Sequence, residues 1–174
     1  MDLRWLQRLI SSGQLGWTWR GWFGWMGGRN MKDRLQLLDS IHLAFSRPEY
    51  APSPDGTTHC NQFVNEVAAG CGFKGFDGRL ANEIIDLIMS NDQWSEVPMD
   101  KAQDLANEGT LIIACLKANP HGHVNVVCPG KMKSSGRWVS VPSVANVGKD
   151  NFIGKGLNWA FSDLPKLYAW RPTL

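Results

Sequence analysis

The chain has 174 residues, 43% of them hydrophobic and 20% charged, enough for one globular domain with a core of its own and too few for two ordinary ones. Its 18 basic and 16 acidic side chains nearly cancel to +2, and no two Lys or Arg are adjacent, which argues against nucleic acid as a partner. Ordinary apolar content without a low-complexity tract excludes the disordered and fibrous classes.

Residues 1–30 read as an arm ahead of a domain over 31–174. Five of the nine tryptophans, Trp5, Trp17, Trp19, Trp22 and Trp25, fall in it, and its four Arg against one Asp make it locally +3 while the remainder is −1. Arg20 interrupts the stretch Gly13 to Gly28, so the arm lacks the ~18 consecutive apolar residues of a membrane span. A secretory signal is not indicated either, because the basic start, unbroken apolar stretch and cleavage site do not occur together. Three readings stay open. The arm is an interfacial peptide with Trp and Phe at the lipid headgroups and Arg drawn to anionic lipid. Alternatively, Met31 is the true start, the Gly27-Gly28 codons spelling a ribosome-binding sequence. The third reading is a plain extension packing its tryptophans on the domain.

Leu35, Leu38, Ile41, Leu43 and Phe45 mostly recur at three and four, predicting a helix over 32–45 that ends before Pro48. Arg47 to Gly56 holds three prolines and reads as an extended loop. Thr57 and Thr58 offer an N-cap to a second helix, with Cys60, Phe63, Val64, Val67, Ala68 and Cys71 on one face and Gly70 and Gly72 at its end. A third helix is expected over 80–89, its apolar face Leu80, Ile84, Leu87 and Ile88, and a short one over 101–106. After Gly109 come runs rich in branched residues, 110–116, 123–128, 137–141 and 167–171, read as strands and separated by turn residues that favour antiparallel neighbours. Pro142 to Asn146 also reads as turn chemistry. Helices first and strands second is the arrangement of an α+β domain.

The four cysteines contain no Cys-x-x-Cys pair, which excludes a zinc ribbon or thioredoxin-type motif, and they read as reduced thiols. Cys60 is the candidate nucleophile. It opens a helix after a proline-rich loop, where unpaired amides and the helix dipole favour thiolate and would lower its pKa below ~8.5, and its neighbours Thr57, Thr58, His59, Asn61 and Gln62 suggest a solvent- or cleft-facing helix start. Cys71, Cys115 and Cys128 lie in apolar runs and read as core. The imidazole needed to take the thiol proton is expected from His123, which opens a strand and can face the Cys60 helix from the sheet's rim; His121, in the preceding turn, ranks second. His42 reads as a surface or packed residue. A zinc site from His59, Cys60, His121 and His123 is the chemical competitor, weakened by the diverging directions of adjacent residues at a helix start. No metal or other cofactor is expected.

Thr58-His59-Cys60-Asn61-Gln62-Phe63-Val64 and Gly122-His123-Val124-Asn125-Val126-Val127 together resemble the Cys-x-x-Phe-Val and Gly-His-Val-x-Val-Val blocks of cysteine/histidine-dependent amidohydrolase/peptidase (CHAP) domains and the related NlpC-type peptidoglycan peptidases. The stretch Cys60 to Ala69 is similar to type VI secretion amidase effectors as well. The two blocks stand 63 residues apart, and the resemblance spans roughly 55–146. It implies a compact papain-like α+β fold, a nucleophile helix packed on an antiparallel sheet, and thiolate–imidazolium chemistry without metal. It implies also a third residue orienting the histidine, for which Asn146 and, alternatively, Ser143 stand near the slot.

The function expected from the resemblance is a peptidoglycan hydrolase, an amidase or endopeptidase acting as a phage lytic protein or antibacterial effector. Such a protein is made in bacterial or phage-infected cytoplasm and acts in the periplasm or cell wall. Its partners would be peptidoglycan, a membrane surface touched by the arm, and an immunity or holin-type protein. The alternative is a catalytically silent domain of the same fold that binds cell wall or a partner.

Overall fold

A computed structural model describes residues 18–52 and 56–172, with side chains from Met31 onward. The readings of the tryptophan-rich arm therefore lie outside the described residues, except that helix α1 (Thr18–Phe45) crosses the expected boundary at 30/31 without a break. The expected start near Lys32 is corrected: Gly27-Gly28 weakens a helix by about 1 kcal/mol per residue but, unlike proline, neither clashes with the preceding turn nor removes a donor. The buried stripe of α1 is Leu37, Ile41 and Ala44, spaced by four and three. Leu35 and Leu43, expected on the core face, are 51% and 69% exposed. Each is two residues from a stripe member, roughly 200° around the helix.

The loop after α1 contains one 3-10 turn, Pro48–Tyr50, and leads to α2 (Cys60–Gly70), whose Cys60, Phe63, Val64, Val67 and Ala68 are buried as the spacing predicts. Helix α3 (Ala81–Ser90) buries Ala81, Ile84, Ile85 and Ile88; Leu80, expected on that face, is exposed as its N-cap. Strand β1 (Trp94–Val97) then precedes α4 (Met99–Asn107). Next come β2 (Ile112–Leu116), β3 (His123–Val127), β4 (Lys133–Ser135), β5 (Val139–Val141), β6 (Ser143–Asn146), β7 (Phe152–Gly156), the 3-10 turn Leu157–Trp159 and β8 (Lys166–Trp170).

Six strands form one sheet in the order β1-β8-β2-β3-β6-β7, every pairing antiparallel, and β4 and β5 form a separate hairpin. Strand β6 corrects the turn expected over 142–146, and β4 occupies part of a segment also read as turn. Val144-Ala145 is too short to signal a strand, and its extended state comes from pairing with β3 and β7.

The sheet divides two cores. On one face, Ile113, Cys115, Val124, Val126 and Ala145 pack with the buried sides of α1, α2 and α3. On the other, Ile112, Ala114, Val127 and Val144 pack with Ala102 and Ala106 of α4 and with Leu157 and Phe161. Burial on both faces explains why β2 and β3 are near-continuous apolar runs and not alternating ones. The molecule is thus α+β with an antiparallel sheet. Gly109 joins its two sides: at φ +95° it closes α4, Thr110 N–H bonding Leu105 O at 3.0 Å, while its Cα lies so close to α1 that a Cβ would fall 2.5 Å from the carbonyl carbon of Asp33. Among the described residues no helix is long and apolar enough to cross a membrane.

Candidate active site

Residue Cys60 is the first of α2, but the helix is capped by His59 and not by Thr57 or Thr58. The helical ladder begins with Phe63 N–H to His59 O at 3.0 Å, which leaves the amides of Cys60 and Asn61 ahead of it. These two amides, the amide of Val124 and the Thr58 hydroxyl act on the Cys60 sulfur as hydrogen-bond donors that favour thiolate. Burial outweighs them: Cys60 is only 4% exposed, and desolvation pushes its pKa up. The depressed pKa expected from the helix start is corrected accordingly, and of the two expected settings, solvent or a cleft, Cys60 borders a cleft.

His123 opens β3 and is half-buried. Val124 and Val126 project toward α2, whereas His123 shares the parity of Val127 and sets its ring 5.0 Å from Phe161 on the opposite side. The expectation that His123 faces the Cys60 helix is corrected to this extent: the two residues are linked through the strand's end, where the amide of the next residue, Val124, reaches the Cys60 sulfur. A second link runs through the loop after β6. Gly148 lies against the imidazole, a Cβ there falling 3.1 Å from His123 Cε1. Its N–H bonds Asn151 Oδ1 at 2.9 Å, Asn151 Nδ2 donates to Tyr50 O at 2.5 Å, and the Tyr50 ring lies 6.0 Å from that of His59, beside Cys60.

His123 Nε2 meets Asn146 Oδ1 at 2.7 Å. Asn146 is buried, and its Nδ2 donates to Asp150 O at 2.7 Å. Ser143, the other candidate for this place, stands at the far end of β6, where its carbonyl accepts from Cys128 N–H and its hydroxyl donates to Lys131 O at 2.7 Å. It does not approach His123. Register decides this: Val127 pairs with Val144 and Val126 with Ala145, so Asn146 advances toward the His123 end and Ser143 away from it. Burial lowers the His123 pKa, opposed by the Asn146 bond. Burial thus works against the charged form of both the thiol and the imidazole.

The Cys60 end opens into a cleft of about 450 Å³ whose walls include Thr58, Asn61, Asn82, His121 and Gly122. Asn82 of α3 donates to Ala118 O at 2.9 Å and so ties down the turn bearing His121. A larger groove of about 900 Å³, edged by Met31, Leu35 and Leu43 of α1, lies apart from these residues. The donor set His59, Cys60, His121 and His123 does not converge, since His59 Nδ1 is bonded to Gln62 Oε1 at 2.8 Å and His123 Nε2 to Asn146. Among the described residues no three His, Cys, Asp or Glu side chains are grouped to hold a metal ion. His42 is exposed on α1, as one of its two readings had it.

All four cysteines are free thiols. Burial holds Cys71 up to about 11, with the Ser40 hydroxyl opposing, and raises Cys115 and Cys128 as well. Sequence reading passed over Asn125, Gly148 and Asn151, because each acts through a neighbour brought to it by the sheet. The chain matches no family model and no curated protein.

Proposed function

We propose that the chain is a cysteine amidase or endopeptidase of bacterial peptidoglycan with a papain-like arrangement, Cys60 its nucleophile, His123 its base and Asn146 the residue that orients the base. The observation that carries the reading is a histidine whose Nε2 is held 2.7 Å from an asparagine oxygen and whose next residue, Val124, offers its amide to the helix-opening Cys60 thiol. Peptidoglycan as substrate class rests on the resemblance of the two sequence blocks around Cys60 and His123.

With Nε2 on Asn146, Nδ1 is the nitrogen left to take the thiol proton. The thiolate then attacks the amide carbonyl carbon, and the oxygen that gains charge is met by the Cys60 amide and a neighbouring donor. Collapse of the tetrahedral adduct breaks the C–N bond as the imidazolium returns its proton to the leaving amine. Water, deprotonated by the imidazole, attacks the thioester, releasing the carboxylic acid and restoring the thiol. Burial of both groups means that fixed dipoles, such as the amides at the helix start, act strongly on the charge that forms there.

The second reading, a cell-wall or partner-binding domain without catalysis, is favoured by one observation: Cys60 is 4% exposed. Incubating purified sacculi with the full chain and analysing the soluble products by mass spectrometry tests both. New muropeptide termini, absent with Cys60→Ala, support the enzyme and identify the bond cut. Sedimentation with sacculi without any released product supports the binding domain.

A further inference from the structure

Asn125 is fully buried on the face of β3 that carries His123. Its Nδ2 donates to Asn146 Oδ1 at 3.4 Å, the oxygen that His123 Nε2 meets at 2.7 Å, while Asn146 Nδ2 donates to Asp150 O at 2.7 Å. These contacts decide which way round the Asn146 carboxamide stands. Turned over, it would set its oxygen against the Asp150 carbonyl, which can only accept, and would lose the Asn125 Nδ2 donor unless that amide turned as well. With the oxygen toward His123, the ring nitrogen that meets it must carry the proton. Asn125 Oδ1, meanwhile, has no partner among the described residues. A position that served packing alone would be filled better by an aliphatic side chain, because half of this buried amide is unsatisfied.

We propose that Asn125 is a positioning residue: it fixes the orientation of the Asn146 carboxamide and thereby holds His123 in the tautomer protonated at Nε2, with Nδ1 free as base. The role rests on the reading of His123 as the base, and its test needs no substrate.

Long-range proton–nitrogen NMR spectra of the imidazole nitrogens in the full chain, with His123 assigned by the signals lost in His123→Gln, read the tautomer directly. Asn125→Leu removes the donor and fills the space; Asn125→Ala removes it with a smaller side chain; Val127→Ala is a control on the same face of β3. The neutral ring is expected to be protonated at Nε2 in the natural sequence and in Val127→Ala. In both Asn125 variants the fraction protonated at Nδ1 is expected to rise about fivefold to tenfold. An Nδ1-protonated ring in the natural sequence, an unchanged tautomer in the Asn125 variants, or an equal change in Val127→Ala overturns the proposal. So does failure of both Asn125 variants to fold, since the residue is then needed for the core itself. A sacculus digest that releases nothing would remove the catalytic reading and leave the tautomer result standing.

Discussion

Burial sets the chemistry of Cys60 and His123 more than the helix end does, and that has a measurable consequence. A neutral, buried thiol reacts only through its small thiolate fraction, which grows tenfold per pH unit below its pKa. Alkylation of Cys60 by iodoacetamide, followed by peptide mapping, is therefore expected to quicken about tenfold per unit from pH 7 to 9. A rate already flat at pH 6 would show a standing ion pair. On the proposed mechanism, Cys60→Ala and His123→Ala each reduce sacculus cleavage to background, because residues working as one unit are not additive. Gly148→Ala offers a finer test: the added methyl, 3.1 Å from His123 Cε1, must displace the ring by a few tenths of an ångström. Cleavage is expected to fall about tenfold to a hundredfold with circular dichroism unchanged; full activity would mean that the position of the ring does not matter.

Helices were more legible than strands. Helix α2 could be read to within a residue because five apolar positions repeat at helical spacing, and β2 and β3 because each is a run of branched residues bounded by turns. Strands β1, β4 and β6 are only three or four residues long and β7 carries Gly154, Lys155 and Gly156, and they are strands because a neighbour pairs with them. Two substitutions test the elements. Val139 opens β5 at φ +62°, a left-handed conformation that a β-branched residue tolerates poorly, and its side chain is exposed. Val139→Asn is expected to raise unfolding stability by about 1 kcal/mol in urea titration, and a loss would show that the valine contributes contacts that exceed its strain. Gly109→Ala combines a positive φ with a clash against the α1 backbone, and is expected to cost at least about 2 kcal/mol.

At the scale of the whole molecule, the shifted groups bound the pH range of stability. His123 has its pKa lowered from 6.5 in the fold, so the unfolded chain binds a proton first. Its contribution is complete above that value and is lost as pH falls through and below it. The four thiols have theirs raised from 9.0, so the unfolded chain releases protons first and stability is lost as pH rises above 9.0. Tyr50 and Tyr168, raised mainly by burial, add to the alkaline loss above 10.0. The melting temperature is expected to plateau between about pH 6.5 and 9 and to fall on either side, the acid limb becoming shallower in His123→Ala and the alkaline limb in Cys115→Ala. Equal slopes in the variants and the natural sequence would reject these assignments.

The sequence by itself determined the α+β class, the faces of α2 and the two central strands, and it singled out Cys60 and His123 as candidates, since each depends on periodicity or residue chemistry within a few positions. Tertiary structure alone decided that Asn146 and not Ser143 reaches the histidine, because that depends on the register of β6 against β3. It also decided which face His123 occupies and the direction in which the thiol's pKa is shifted. Both are set by what lies across the sheet, Phe161 on one side and the buried end of α2 on the other, and desolvation by distant segments leaves no local signature in the chain.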